Sequence, residues 1–440
     1  MISRRDFLGS LTLPALAQPR LKPNIVVLLA DDLGYGELSF QGNEEILTLD
    51  IDTIPAHGVR FTQGYVSAPF CCPSRAGLMT GRYQTRFGHE MNSTGKTNLD
   101  PKVGLPLSEK TIADHLKAAG YATGVMGKWH LGNDPKFHPQ RRGFDEFFGF
   151  LHEGHFYYPP PYRGAATRLR TNEPPYDNDN PVMRGTRAIT EPEYLTDAIA
   201  REAVSFIDRH RADPFFLYVP FNAIHSPMQA PVPRLKDYEY IRDEHRRLFA
   251  AMLGSMNDAT ARILGKIRDL GLEQDTLIVF LSDNGGPTAE LTSSNKPLRG
   301  GKGQLFEGGI RVPFAMQWKG RIPAGVFDHP VSSLDILPTA LAAVGLPLPS
   351  GLDGVDLLPF LTGAKRGRPH ESLFWRYGPN IALRHGDWKL VRQGSADFRL
   401  FHLGHDPSES HDIAAENPAV TRDLRARLDS VNGEMQAPLW

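Results

Sequence analysis

The sequence predicts an α/β fold: helices cover both faces of a large, mostly parallel sheet, and a small antiparallel subdomain with a final helix follows it. Apolar runs of strand length recur at residues 24–30, 214–219 and 276–281, and runs without polar alternation are typical of strands buried on both faces. Helical periodicity separates these runs, whereas short strands joined by turn residues occupy the end of the chain. We therefore expect a large domain over residues 21–368 and a subdomain over residues 369–440.

Composition places the chain among ordinary globular proteins. Its 440 residues are 40% hydrophobic, which is enough to bury a large core. The 49 basic and 50 acidic residues give a net charge of −1, so no overall field draws the protein to nucleic acid or to a membrane surface. Its two cysteines are adjacent, which excludes a disulfide framework. Any binding of anions must therefore be local.

The N-terminus has the pattern of a targeting segment. Ser3-Arg4-Arg5-Asp6-Phe7-Leu8 precedes a short apolar run that ends at Ala17, which resembles a twin-arginine export signal. The run is too short to span a membrane. We expect residues 1–20 to be this signal and the protein to be exported, to the periplasm of a bacterium. A disordered basic tail is the alternative.

The first predicted strand, residues 24–30, ends at two carboxylates, Asp31 and Asp32. In open α/β sheets, ligands bind at the edge formed by the carboxyl ends of the strands. Adjacent carboxylates repel each other unless a cation or hydrogen-bond donors compensate, and a hard divalent ion would do so. The pair alone is equally compatible with a capped turn.

Residues 58–66 predict a second strand, which leads into a short helix. Pro73 suits the first position of a helix, and Gly81 is a natural stop. Cys71 should then lie just before the helix N-terminus, where free N–H groups favour an anion. Arg75, one turn further on, adds a positive charge. This stretch predicts an anionic substrate.

A β-α-β rhythm continues through the next segment. Ser108 is a candidate N-cap for a helix that ends at Gly120, and residues 121–126 form a strand. Lys128 and His130 follow this strand. Continued extension would turn both side chains to the same face. Taken alone, either residue is more often structural than functional.

Residues 152–192 form a long irregular segment rich in Pro, Tyr, Arg, Asn and Gly. A loop of this length inside a compact domain is usually functional or disordered. Its tyrosines suit stacking on a sugar, and its basic side chains suit pairing with sulfate or carboxylate. A solvated surface excursion is equally compatible. The basic side chains are His152, His155, Arg163, Arg168 and Arg170.

Further candidates follow the later strands and loops. We expect helices near residues 195–207 and 243–270. His225 comes after the strand at 214–219, and Asp283 with Asn284 comes after the strand at 276–281. Asp and Asn both offer oxygen ligands, so the latter pair fits the second half of a cation site, although a turn is its commonest meaning. Lys302 lies in a glycine-rich loop. Taken alone, a lysine in such a loop is interpreted as a solvated side chain.

The C-terminal part predicts a small antiparallel sheet and a last helix. Strands are expected around Phe374 and Leu383, over 388–391 and over 399–402, with a turn at 385–387.

The segment Cys71-x-Pro73-Ser74-Arg75-x-x-Leu78-x-Thr80-Gly81 resembles the signature of the type I sulfatases at every fixed position. In that family the first cysteine is oxidised to Cα-formylglycine, an aldehyde that exists as a hydrate, and the spacing selects Cys71 over Cys72. The resemblance implies an alkaline phosphatase-like fold. It continues through ordered motifs at residues 31–36, 127–132, 225–227, 283–286 and 298–313.

The resemblance also implies roles for individual residues. A Ca²⁺ ion would be held beside Cys71 by Asp31, Asp32, Asp283 and Asn284. Asp283 would be the base for the attacking hydroxyl, while Lys128, Lys302 and Arg75 offset charge on the sulfuryl group. Lys128 and Lys302 would also bind the substrate sulfate, together with His225. His225, helped by Lys302, would protonate the leaving alcohol, and His130 would deprotonate the second hydroxyl.

The implied activity is hydrolysis of a sulfate ester, after modification of Cys71 by a formylglycine-generating or sulfatase-maturating enzyme. The insertion at 152–192 and the segment at 82–90 favour a sulfated sugar over a small aryl sulfate. Two alternatives stay open. One is a phosphomonoesterase, phosphodiesterase or phosphonate hydrolase of the same superfamily, and the other is a non-catalytic protein that binds sulfated glycans.

Overall fold

The computed structural model describes residues 22–440. The segment assigned above to an export signal, residues 1–20, lies outside the described residues. Within the described part of the chain, no helix has both the length and the apolar character that a membrane crossing requires.

The helices and strands follow the predicted α/β order. The helices are α1 Thr53–Ala56, α2 Cys71–Thr80, α3 Ile112–Ala118, α4 Leu195–Arg209, α5 Glu244–Asp269, α6 Thr288–Leu291, α7 Glu307–Ile310, α8 Ile336–Ala343, α9 Leu358–Leu361 and α10 Pro418–Asn432. The strands are β1 Asn24–Ala30, β2 Val59–Phe61, β3 Gly64–Tyr65, β4 Ala122–Lys128, β5 Glu146–Phe150, β6 Ala165–Arg168, β7 Met183–Arg184, β8 Arg187–Ala188, β9 Phe215–Pro220, β10 Met228–Pro231, β11 Thr276–Ser282, β12 Phe314–Gln317, β13 Gly325–Phe327, β14 Val331–Ser332, β15 Ser372–Tyr377, β16 Asn380–His385, β17 Trp388–Arg392 and β18 Arg399–His402.

A ten-stranded mixed sheet forms the centre of the molecule, in the order β13-β2-β12-β11-β1-β9-β4-β5-β7-β8. Its five central strands, from β11 to β5, are parallel, and antiparallel pairs lie on either side of them. Along β1, Val26 and Leu28 pack into the core under α4 and α5, whereas Val27 and Leu29 pack into the core under α2, α3 and α8. Because both faces are covered, β1 is apolar at every position after Asn24. The predicted fold class is confirmed.

Two expectations about local structure, one about a strand and one about a helix cap, were wrong. The strand expected at residues 58–66 is divided into β2 and β3. The cap of α3 is Thr111 rather than Ser108, because the Thr111 side chain accepts a bond from the Asp114 amide and the Asp114 carboxylate bonds back. A complete capping box satisfies two helix-end donors at once, so it outweighs a single upstream serine.

Helix α2 begins two residues earlier than expected. Phe70 is its extended N-cap, and the amide of Ser74 donates to the Phe70 carbonyl at 3.1 Å, which closes the first turn. Cys71 is therefore the first helical residue, not the residue before the helix. Pro73 still lies in the first turn, where its missing N–H has no helical partner to lose. Gly81 ends the helix as predicted, with φ of 66°.

The C-terminal subdomain matches its prediction. Strands β15 to β18 form an antiparallel meander, the predicted turn joins β16 to β17, and α10 packs on one face of the sheet through Leu424 and Leu428. The other face packs against the large domain through Trp375 and Phe401. The exact division at residue 368 stays a prediction.

A buried group of charges joins the subdomain to the large domain. The Lys389 ammonium lies 2.8 Å from Glu307 and 2.9 Å from Glu409, and all three side chains are inaccessible to solvent. Burial alone would raise the pKa of Glu307, but Lys389 and two arginines hold it at about 2. Burial raises the pKa of Glu409 to about 7 despite the same lysine. The two carboxylates thus share the Lys389 cation, and Glu307 is also stabilised by two arginines.

Replacing Lys389 with methionine is expected to lower the free energy of unfolding by about 3–5 kcal/mol, because it leaves buried carboxylates without their shared cation. Denaturant unfolding followed by circular dichroism measures this change. The matched control is Lys102→Met at an exposed lysine, which should change stability by less than about 0.5 kcal/mol. Equal stability of the two variants would contradict this account of the subdomain interface.

Candidate active site

The predicted site residues converge at one edge of the sheet. Asp31 and Asp32 follow β1, Asp283 follows β11, and Lys128 ends β4. Because β1, β4 and β11 run in the same direction, their carboxyl ends open on the same side. The N-terminus of α2 brings Cys71 to this edge.

Four of these residues form a compact cluster. One potential ligand atom from each of Asp31, Asp32, Cys71 and Asp283 lies within 4.8 Å of the others, and all four residues are buried. Asn284 donates from Nδ2 to Asp32 Oδ1 at 2.7 Å, while its own Oδ1 is buried without a hydrogen-bond partner. A buried, unpaired amide oxygen beside three carboxylates fits a hard divalent cation.

The carboxylates of the cluster differ in acidity. Burial favours protonation of Asp32, but Lys302 and His225 outweigh it and hold its pKa at about 2. Burial and the charge of Asp31 raise the pKa of Asp283 to about 6, although Arg75 opposes them. The repulsion among the crowded carboxylates therefore acts mainly on Asp283, where a bound cation or a proton would relieve it.

Two lysines lie against the cluster from different sides. Lys128 Nζ is 2.6 Å from Asp31 Oδ2, and Lys302 Nζ is 2.8 Å from Asp32 Oδ2. Lys128 is fully buried, whereas the Lys302 side chain keeps 15% exposure. Lys302 thus connects the buried cluster to the solvent side of the site.

Arg75 forms its hydrogen bonds within the protein, and the expectation that it offsets charge on the sulfuryl group stays a prediction. Its guanidinium donates to Asp283 Oδ2 from Nε at 3.0 Å and from Nη2 at 2.7 Å, and Nη1 donates to the Lys128 carbonyl at 2.8 Å. The side chain is fully buried. Arg75 therefore fixes Asp283 and the end of β4 from beneath the site.

The two histidines flank the cluster. His225 Nε2 lies 3.8 Å from Asp32 Oδ2, and burial, followed by Lys128 and Lys302, lowers its pKa to about 3. His130 Nε2 lies 2.8 Å from the Ser93 carbonyl, while Nδ1 is buried without a hydrogen-bond partner. Burial also lowers the pKa of His130. Both imidazoles are neutral in the protein without substrate.

The expected extension from Lys128 to His130 was wrong. Strand β4 ends at Lys128, and His130 has φ of 57°, in the left-handed region. Asp32 has φ of 65° in the same region. Non-glycine residues adopt this conformation at a cost and are concentrated at functional sites. A close approach also fixes Gly285, where a Cβ would lie 1.8 Å from the Gly308 carbonyl oxygen.

The two cysteines have different surroundings. Cys71 Sγ lies 3.4 Å from Asp31 Oδ1, and burial together with Asp283 raises the pKa of its thiol. Cys72 Sγ lies 2.9 Å from His89 Nε2, outside the carboxylate cluster, and burial raises its pKa to about 11. Neither thiol is ionised at neutral pH, so the encoded side chain of Cys71 is a weak nucleophile.

An open pocket of about 340 Å³ lies over the cluster, and Lys302 and His225 form part of its wall. Phe70, also in the wall, packs against Tyr377 of the C-terminal subdomain, with 4.6 Å between the ring centroids. The remaining lining residues lie outside the sequence motifs. They are Asn92, Thr94, Glu153, Arg170, Pro174, Tyr176, Pro287 and Glu290.

The basic residues of the 152–192 segment separate into two groups. Arg170 lines the pocket, and Arg168 lines a neighbouring depression. His155 lines a different cavity formed mostly by residues 155–195. His152 is buried and Arg163 is exposed, and neither lines the pocket.

Comparisons with known proteins agree with this geometry. The model of the sulfatase family matches residues 23–346, and that of the N-sulphoglucosamine sulphohydrolase C-terminal region matches residues 301–434. N-acetylgalactosamine-6-sulfatase of Sus scrofa is 35% identical, over 92% of this chain and 84% of that protein. Arylsulfatase A of Homo sapiens is 36% identical, over 96% and 89%.

Solved structures show the same fold. The crystal structure of Ps i-CgsB superposes with a TM-score of 0.87 at 35% identity, over 95% of this chain and 94% of that one. A phosphonate monoester hydrolase of Agrobacterium radiobacter, at 19% identity and a TM-score of 0.65, shares the fold alone. The arrangement of the site and these matches establish that the chain belongs to the sulfatase family and is a sulfuric ester hydrolase with an alkaline phosphatase-like fold.

Proposed function

We propose that the protein removes sulfate from a sulfated carbohydrate, with Cys71 converted to formylglycine and one Ca²⁺ ion bound beside it. The observation that carries the proposal is the position of Cys71. It starts a buried helix within 4.8 Å of three carboxylates, one of which accepts a hydrogen bond from Asn284.

Asp31, Asp32, Asp283 and Asn284 would hold the ion, because their oxygens are the ligands that Ca²⁺ prefers. When present, the ion polarises a sulfate oxygen, and the formylglycine hydrate supplies the oxygen nucleophile that a buried thiol does not. Lys128 and Lys302, which lie against Asp31 and Asp32, would take up the negative charge of the sulfuryl group.

The remaining residues would move protons. We propose Asp283 as the base for the attacking hydroxyl, because its carboxylate lies in the same cluster as Cys71. Arg75 positions that carboxylate. His130 is proposed as the base for the second hydroxyl, because it is neutral and its Nδ1 is free to accept a proton.

His225 is proposed to protonate the leaving oxygen. Without substrate its pKa is about 3, so the imidazole must take up a proton from solvent when the anionic group binds. A sulfate bound between His225 and Lys302 would replace lysine repulsion by attraction to a negative charge, which raises the pKa of the imidazole. Lys302 adds positive charge at the same oxygen.

A carbohydrate substrate is supported by the pocket and by the relatives. Phe70 and Tyr176 offer aromatic surfaces, and Asn92, Glu153 and Glu290 offer polar groups for sugar hydroxyls. One relative is an N-acetylgalactosamine-6-sulfatase, and the Ps i-CgsB structure is also known in complex with k-i-k-neocarrahexaose.

Paired esters test the activity. The modified, calcium-loaded enzyme should hydrolyse 4-nitrophenyl sulfate with a higher kcat/KM than 4-nitrophenyl phosphate and phenylphosphonate esters. It should also release sulfate from at least one sulfated oligosaccharide in a defined panel. A large preference for phosphate or phosphonate would overturn the sulfatase proposal in favour of the superfamily alternative. Binding of sulfated glycans without any sulfate release would favour the non-catalytic alternative.

We also propose that a formylglycine-generating or sulfatase-maturating enzyme acts on Cys71 and that residues 1–20 direct export through the twin-arginine route. Export of folded protein would suit a chain that needs its cysteine oxidised before it leaves the cytoplasm. N-terminal sequencing of periplasmic material should find residues 1–20 removed, and a mature protein that starts at Met1 would contradict the export proposal.

A further inference from the structure

Three depressions adjoin one another along strand β6 and the residues after it. The catalytic pocket meets a second depression of about 310 Å³, and the two share Arg170 and Glu290 in their walls. The second meets a third of about 300 Å³, and these two share Arg168. We call this row of three depressions, which are linked by shared wall residues and extend from Lys302 to Arg247, the groove.

We call the wall shared by two neighbouring depressions a junction. The first junction, formed by Arg170 and Glu290, is held by several hydrogen bonds. The Arg170 guanidinium donates to Glu173 at 2.8 Å, to the Tyr176 hydroxyl at 2.7 Å and to Glu290. Tyr176 in turn packs edge-on to the His225 ring, with centroids 5.9 Å apart. The charge of Arg170 is therefore used within the protein, where it ties the groove floor to the catalytic pocket.

The second junction, formed by Arg168, lacks such hydrogen bonds within residues 22–440. Arg168 is exposed at the end of β6, and among residues 22–440 no carboxylate or other acceptor bonds its guanidinium. Its positive charge acts on His245 across the second depression and contributes to lowering the pKa of that imidazole, after burial. In the third depression, Arg247 donates from Nε only to the Ile241 carbonyl, and the facing carboxylate is Glu244.

We propose that this groove binds an extended saccharide that carries more than one sulfate. The catalytic pocket would hold the ester that is cleaved, and Arg168 would pair with a second sulfate further along the same chain. The inference rests on the proposed sulfatase function. A planar guanidinium without a protein partner matches sulfate oxygens well, since it can donate two parallel hydrogen bonds.

The carboxylates of the groove limit the class of ligand. Glu153, Glu173, Glu290 and Glu244 are distributed among the cations. They suit hydroxyl donors of sugar rings and oppose a densely charged polyanion. The ligand should therefore carry its sulfates separated by unsulfated hydroxyl groups, as in galactans or glycosaminoglycans of moderate charge.

Binding to the Cys71→Ala protein, which cannot turn over a substrate, tests the groove. The probes are a carrageenan hexasaccharide, a chondroitin sulfate hexasaccharide and N-acetylgalactosamine 6-sulfate, measured by calorimetry. At least one hexasaccharide should bind about tenfold more tightly than the monosaccharide, the size of one added charge-assisted contact. Adding Arg168→Ala should remove most of this gain and weaken the salt dependence, without changing monosaccharide binding.

Arg187→Ala is the matched control, because Arg187 is exposed in β8 at the edge of the large sheet and outside the groove. It should leave all three affinities unchanged. The proposal is overturned if neither hexasaccharide binds more tightly than the monosaccharide, or if the two arginine variants behave alike.

Turnover of 4-nitrophenyl sulfate separates this proposal from the sulfatase proposal. The Arg168→Ala enzyme with Cys71 intact should hydrolyse the aryl ester at the wild-type rate, since that ester does not reach the second junction. Hydrolysis of the aryl ester without any preference for a hexasaccharide would contradict the groove proposal and support the sulfatase proposal. An Arg168-dependent preference for a hexasaccharide without hydrolysis of the aryl ester would support the groove proposal and contradict the sulfatase proposal.

Discussion

Cys71→Ala should lower sulfate ester turnover by about 10⁵- to 10⁶-fold, the size of loss that removal of a catalytic nucleophile produces. The physical reason is that the proposed route forms a covalent bond at this side chain, and no other group in the cluster can replace it. Initial rates on 4-nitrophenyl sulfate measure the loss. Circular dichroism should show a native fold, because alanine fits the first turn of α2.

The neighbouring thiol provides the matched control. Cys72→Ser keeps a polar atom within reach of His89 and leaves the carboxylate cluster intact. It should retain turnover within about tenfold of wild type, since no catalytic contact is removed. Near-wild-type turnover by Cys71→Ala, or equal losses in the two variants, would contradict the assignment of Cys71.

Removing the ion should abolish turnover and lower thermal stability together. At a Ca²⁺ concentration of 100 times Kd, binding to the folded state alone adds about 2.7 kcal/mol. Chelation should therefore lower Tm, and Ca²⁺ should restore both Tm and activity better than Mg²⁺. Mg²⁺ demands stricter octahedral geometry and gives up its water reluctantly.

Asp283→Asn tests the site by stability as well as activity. This variant removes a negative charge from the proposed ligand set, so its Tm should no longer respond to Ca²⁺, whatever its starting value. Asp423→Asn, on the exposed face of α10, is the matched control and should respond as wild type. An equal Ca²⁺ response in the two variants would place the ion elsewhere.

The sequence predicted most of the fold because its central strands are buried on both faces. A short, continuous apolar run such as Asn24–Ala30 is typical of a strand buried on both faces. The turn residues between β16 and β17 indicate a hairpin. The convergence of Asp31, Asp32 and Asp283 followed from the common direction of parallel strands. Periodicity and sheet geometry were enough for these conclusions.

Other features depend on contacts between distant segments. The start of α2 at Cys71 is set by the extended backbone of Phe70, and the direction of Arg75 is set by Asp283, more than 200 residues away. Glu153 and Glu290 had no motif to identify them as pocket residues. Glu153 comes to the pocket with the 152–192 segment, and Glu290 comes to it with α6.

The proposed hydrolysis through formylglycine depends most directly on the chemical state of residue 71 in active protein. Peptide mass spectrometry of enzyme with full turnover should find an aldehyde oxygen in place of the Cys71 sulfur and an unchanged thiol at Cys72. Fully active protein that carries an unmodified thiol at Cys71 would contradict the account.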